Sequence, residues 1–201
     1  MYALTPITRT LIFANVGVFL LQYFGGDEIT YRFALWPYDT PLFHVWQLVT
    51  YGFMHGGFSH LFFNMFGLYM FGPEVERVLG AQRFLTYYLV SVVGAAVLHL
   101  LVTGLASELL LPTVGASGGL FGLLLAFGMF FPQRRIMLLL PPIPMKAWVF
   151  VTLYGAAELL MGIFGTLQGV AHFAHLGGML AGFVLLKIWQ VPARRDSSHG
   201  W

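Results

Sequence analysis

The sequence predicts an all-α membrane protein, a bundle of six transmembrane helices with a long outer first loop. Three observations carry this prediction. Apolar residues make up 58% of the 201 residues and charged residues 9%, about a third of the charged share of a soluble domain and too little to cover a water-facing surface. Six apolar stretches recur, near residues 7–24, 58–75, 84–104, 117–131, 147–165 and 170–190, and read as membrane spans, the fourth of them short. The basic residues are also segregated. With the amino terminus on the cytoplasmic side, Arg9, Arg77, Arg83, Arg134, Arg135, Lys146, Lys187, Arg194 and Arg195 fall inside, and only Arg32 falls outside. Both termini are then cytoplasmic, and the expected location is a bacterial or archaeal cytoplasmic membrane. This asymmetry accounts for a pI of about 9.0 without a nucleic-acid partner, because the basic residues stand singly or in pairs. The chain has no Cys, so disulfides, thiolate nucleophiles and cysteine metal sites are excluded.

The first stretch, Ile7 to Phe24, is too long for a signal-peptide core and reads as a retained span. The loop from Gly25 to Gly57 keeps Phe33, Leu35, Trp36, Phe43, Val45, Trp46, Leu48 and Val49 but is broken by Pro37 and Pro41, a pattern suited to short helices lying in the interface. The second and third spans follow, near residues 58–75 and 84–104. The fourth, Ser117 to Phe131, would reach only about 22 Å as a helix against a hydrocarbon core of about 30 Å. With Arg134 and Arg135 at the inner headgroups, Ser117 lies below the outer surface. The irregular segment Thr113 to Ala116 then requires a protein-lined or water-filled cavity. Leu138 to Met145, LLLPPIPM, is expected as an apolar loop at the bilayer surface. The fifth and sixth spans complete a single membrane domain over residues 1–192, and residues 193–201 are expected as a disordered polar tail.

Few residues can carry chemistry. Ser117 sits among glycines at a loop-to-helix junction, Gly115-Ala116-Ser117-Gly118-Gly119, sterically open and beside helix N-terminal amides that could stabilise an oxyanion. Gly118 and Gly122 equally suit plain helix packing. A serine needs a base, and the sixth span supplies His172 and His175 on similar faces. Gly178 and Gly182 after them permit close approach to the Gly118/Gly122 face, which would bring Ser117 near His175. A metal-ligating pair is the competing reading of these histidines. In the second span, His60 and Asn64 share a face and are neutral donors suited to a developing oxyanion. Three spans thus present polar residues at one leaflet, which packing alone does not require.

The motifs His60-Leu61-Phe62-Phe63-Asn64, Gly115-Ala116-Ser117-Gly118 and Ala174-His175-Leu176-Gly177-Gly178 resemble those of the rhomboid intramembrane serine proteases, in order and in a six-span chain. The resemblance covers about residues 7–190 and implies a rhomboid-like bundle. It also implies Ser117 as nucleophile, His175 rather than His172 as general base, and an oxyanion hole of His60, Asn64 and the Ser117 amide, with Gly115, Gly118, Phe121, Gly178 and Gly182 in support. The implied activity is endopeptidase cleavage of transmembrane protein substrates within the lipid bilayer, with no cofactor and no metal. The alternative is a silent relative that binds transmembrane helices without cutting them. A transporter or metal-binding protein built around His60, His172 and His175 is a further rival.

Departures from the family pattern are small. Trp46-Gln47 stands where relatives carry Trp-Arg, and Phe121 stands where a Tyr often stacks on the histidine. Glu76 is expected to be structural. The outer leaflet shows no evident carboxylate to orient the histidine, so a Ser-His dyad is expected; Glu158 in the fifth span is the one candidate exception, about 18 Å from the inner face by helical rise, and is expected in a packing or hydrogen-bonding role rather than a catalytic one. His55 is expected to hold loop backbone, and His44 and His99 to sit at the interface or in packing; His199 lies in the tail. Trp36, Trp46, Trp148 and Trp189 fit an interfacial belt, and Met65, Met70 and Met179 ordinary packing. Substrate access is expected past the fifth span and the loop Gly165–Gly169, with mobility at Gly162, Gly165 and Gly169.

Overall fold

The computed structural model describes residues 3–106, 111–137, 142–164 and 171–191. The expected tail and the loop Gly165–Gly169 lie outside the described residues. The elements are α1 (Pro6–Gly25), α2 (Asp27–Phe33), α3 (Gln47–Thr50), a 3₁₀ turn (Tyr51–Phe53), α4 (Phe58–Leu79), α5 (Ala81–Ala106), α6 (Ser117–Phe130), β1 (Arg135–Met137), β2 (Pro144–Lys146), α7 (Ala147–Phe164) and α8 (His172–Ile188). Among the described residues, α1, α5 and α7 are long and apolar enough to cross a membrane, and α6 and α8 are shorter apolar helices. Phe13, Phe24, Leu101, Ile163, Phe164 and Ile188 are exposed on these helices, as an apolar solvent requires.

The interior is built around α5, α6 and α8. Tyr87, Tyr88, Val92, Leu123, Phe130 and Leu186 are among its fully buried side chains. Small residues set the helix spacing: a Cβ on Gly178 would stand 2.0 Å from the Gly118 carbonyl oxygen, and one on Gly94 would stand 2.2 Å from the Ala181 Cβ. Gly182 departs from the expected glycine-on-glycine face. It packs on Tyr87 and Ser91 of α5, as Gly177 packs on Gly94, Ala95 and Leu98, so α8 turns Gly178 to α6 and Gly177 and Gly182 to α5. At its other end α4 runs to Leu79, past the expected boundary, with Pro73 inside it. It stops at Gly80, whose φ of +77° only glycine adopts freely, and α5 starts at once.

The end of the bundle near Arg134 is stitched by charge. Glu76 of α4 accepts from the backbone amides of Ile7 at 3.0 Å and Thr8 at 2.8 Å, and from the hydroxyls of Thr5 and Thr8. A carboxylate from another helix therefore caps the N-terminus of α1, where its charge meets the helix dipole. Glu74 pairs with Arg77 at 3.1 Å and Arg134 at 3.0 Å. Beyond α6, the expected apolar loop is partly a hairpin: Arg135 pairs with Lys146, Ile136 with Met145 and Met137 with Pro144. Two three-residue strands leave no periodicity long enough to read in sequence. Residues 138–141 lie outside the described set.

At the opposite end the 25–57 segment is held by side chains. Gln47 is fully buried; its amide oxygen accepts from the Trp36 and His44 amides at 3.3 and 3.2 Å, and its amide nitrogen donates to the Arg32 and Leu42 carbonyls at 3.3 and 2.9 Å. The neutral Gln thereby satisfies four backbone groups of the segment. Leu35 and Thr113 exchange backbone bonds at 3.0 and 2.9 Å, and the Gly115 amide donates to the Tyr51 carbonyl at 3.0 Å. The 25–57 segment thereby fixes the stretch that delivers Ser117.

Candidate active site

Ser117 is the first residue of α6. Gly115, two residues earlier, has φ +137°, and a Cβ there would strike the His60 ring at 2.8 Å. Only glycine satisfies both the backbone and the space. The turn leaves Ser117 half-buried with its hydroxyl facing α8.

His175 Nε2 lies 2.9 Å from Ser117 Oγ. The Gly118–Gly178 contact one turn away sets this distance, since α6 and α8 touch backbone to backbone there. The His175 ring lies flat on Phe121, with centroids 4.1 Å apart and planes at 6°, so phenylalanine supplies the stacking face without the hydroxyl. Phe121 also touches Tyr154 of α7 at 5.0 Å.

His60 Nδ1 accepts from the Gly56 amide at 3.4 Å, which leaves Nε2–H as the donor that faces the Ser117 loop. Asn64 is 5% exposed, and its Nδ2 has no partner among the described residues. A buried amide donor without an acceptor costs free energy, and it stands ready for an oxygen that arrives with a ligand. His55 ties the 25–57 segment to α1: its backbone amide donates to Gln22 Oε1 at 2.9 Å and its carbonyl accepts from Gln22 Nε2 at 3.3 Å, while its ring interacts with the Phe53 backbone. The ring packs edge-on against His60 at 5.2 Å. Burial and the neighbouring His60 push the His55 imidazole down to about 4. His99 likewise does more than pack, with Nε2 at 2.8 Å from the Thr113 hydroxyl ahead of Ser117.

The main departure from the sequence reading is Glu158. It is 2% exposed, and one carboxylate oxygen, Oε2, lies 2.8 Å from His175 Nδ1 and 2.7 Å from His172 Nδ1. The expected hydrogen-bonding role is present, and Glu158, the one candidate exception in the sequence, is the carboxylate that reaches His175. Helical rise along α7 gives the depth of Glu158 but not its direction, and the packing of α7 on α8 brings it level with His175. An ionisable residue in an apolar span was the available signal. Glu158, rather than His60, joins the two histidines in a group that could hold a metal ion, with donor atoms within 4.8 Å of one another. Donors around a tetrahedral zinc stand about 3.3 Å or more apart. The 2.7 and 2.8 Å separations fit protons between the atoms better than a shared cation.

A family model described as "Rhomboid domain" matches residues 42–190. The chain is 35% identical over 137 residues to the mitochondrial Rhomboid protein 1 of Saccharomyces cerevisiae, covering 68% of this chain and 39% of that protein. It is 34% identical over 193 residues to the chloroplastic Rhomboid-like protein 11 of Arabidopsis thaliana, covering 88% and 62%. To Rhomboid protease GlpG of Photorhabdus laumondii it is 27% identical over 192 residues, covering 92% and 61%. It thus spans between 39% and 62% of the length of these relatives. The family match over most of the helical bundle, together with the serine, histidine and glycine positions just described, shows that the chain belongs to the rhomboid family.

Proposed function

We propose that the protein is an intramembrane serine endopeptidase that hydrolyses peptide bonds in or near transmembrane segments of membrane-protein substrates. The observation that supports this most is His175 Nε2 at 2.9 Å from the Ser117 hydroxyl. Ser117 Oγ attacks the carbonyl carbon as His175 Nε2 takes the hydroxyl proton. The oxyanion that forms accepts from His60 Nε2–H, Asn64 Nδ2–H and the Ser117 amide. The C–N bond then breaks, His175 returns the proton to the leaving amine, and an ester on Ser117 remains. Water attacks that ester with His175 again as base, releasing the carboxylic acid and restoring the serine.

In this reading α1, α4, α5, α6, α7 and α8 are six spans of one membrane domain over residues 1–192. Both termini lie on the cytoplasmic side of a cytoplasmic membrane, and the site opens to the outer side. Substrate segments with small or helix-breaking residues are favoured because their carbonyls are easiest to free. The test is cleavage of a model transmembrane substrate in vesicles, with fluorophosphonate labelling in parallel. Both are expected to vanish in Ser117→Ala. Cleavage that survives in Ser117→Ala refutes the assignment, and binding without cleavage by the unaltered protein favours a silent helix-binding relative.

A further inference from the structure

We infer that Glu158 is a positioning residue for the proposed reaction: clamped by His172, it holds His175 in the tautomer that can accept the serine proton. The inference rests on the reading of Ser117 and His175 as the catalytic pair, and it adds a carboxylate to the dyad expected from sequence.

The geometry fixes the protons. An ionised carboxylate oxygen only accepts, so two ring nitrogens at 2.7 and 2.8 Å from Oε2 must both be Nδ1–H donors. A neutral imidazole protonated on Nδ1 carries a bare lone pair on Nε2. In His175 that lone pair faces Ser117 Oγ at 2.9 Å, the arrangement a general base requires. The opposite tautomer would aim an N–H at the serine oxygen and could not remove its proton.

Phe121 already fixes the plane of the His175 ring. What stacking leaves open is rotation within that plane and the choice of protonated nitrogen, and Glu158 settles both. When His175, itself 9% exposed, becomes imidazolium, the adjacent carboxylate offsets the new charge.

His172 accounts for why Glu158 stays in place. Its ring stands at 90° to that of His175 with centroids 6.5 Å apart, so the two rings reach one oxygen from different directions. Among the described residues, the ion-pair partners of Glu158 are these two histidines and no Lys or Arg. A carboxylate buried on an apolar helix is costly, and a purely structural one would not need to share an oxygen with the proposed base.

The experiment is a kcat and KM series on the full chain in vesicles, with thermal unfolding and fluorophosphonate labelling read in parallel. Glu158→Gln keeps shape and one acceptor but loses the charge. It should lower kcat about tenfold to a hundredfold with KM within about twofold and unchanged unfolding, and Glu158→Ala should lower kcat further. Glu158→Asp should recover part of the loss relative to Ala. A kcat for Glu158→Gln within twofold of the unaltered protein overturns the inference. Should Glu158→Gln not fold, His172→Ala decides: a kcat lowered several-fold at constant KM supports the clamp, and an unchanged kcat overturns it. Cleavage lost in Ser117→Ala but intact in Glu158→Gln overturns this inference alone. Cleavage surviving in Ser117→Ala overturns the proposed function, and this inference with it.

Discussion

Gly178→Ala tests whether helix spacing sets the reactive distance. The added Cβ would lie 2.0 Å from the Gly118 carbonyl oxygen and 2.8 Å from its carbon, backbone atoms that cannot rotate away. A carbon–oxygen contact needs about 3.3 Å, so α6 and α8 must part by about 1.3 Å there. Ser117 is adjacent to Gly118 and His175 is one turn before Gly178, so most of that movement reaches the pair. From 2.9 Å the Nε2···Oγ separation would grow to about 4 Å, beyond hydrogen-bond range. Overpacking of this kind costs about 1–3 kcal/mol, and an ångström of misplacement costs about a hundredfold in rate. Expected, therefore, are a kcat about a hundredfold lower for a model transmembrane substrate and an unfolding midpoint lower by about 2–12 °C. Gly17→Ala serves as control, since a Cβ there meets nothing within 4 Å. Activity within threefold of the unaltered protein, with an unchanged midpoint, would refute the view that the Gly118–Gly178 contact positions the site.

Asn64→Leu should lower kcat about a hundredfold as an oxyanion donor is lost while stability holds or rises, because its buried Nδ2 has no partner to lose among the described residues. A large stability loss with normal kcat would make Asn64 a packing residue instead. His55 gives a pH signature through unfolding. Its imidazole falls from 6.5 to about 4 on folding, so between those values the unfolded chain binds more protons. Its contribution is complete above pH 6.5 and is lost as pH falls toward 4. His55→Leu should flatten the slope of unfolding midpoint against pH in that window, and an unchanged slope would show that other groups carry it.

The helices were legible because their cause is local. Continuous apolar runs need no tertiary information to be read as spans, and α1, α6, α7 and α8 begin and end within two residues of their expected limits. The two ends of α4 differ in this respect. His60 and Asn64 follow from i, i+4 spacing, whereas the continuation through Pro73 to Leu79 depends on Glu76 binding the start of α1, a partner about 70 residues away.

The site divides the same way. Ser117 among glycines and His175 ahead of Gly178 were visible because close helix approach leaves small residues in the sequence at fixed spacing. The sequence alone therefore determined that α6 and α8 meet and that Ser117 faces His175 across them. It could not determine the partner of Glu158, because helical rise gives depth along one helix but not its rotation or tilt against the next. Only the packing of α7 on α8 aims that carboxylate at two Nδ1 atoms. The same reason hides the four bonds of Gln47 and the turn of Gly182 toward α5. Periodicity records which residues must avoid water, and the folded chain decides which polar atoms meet once they have.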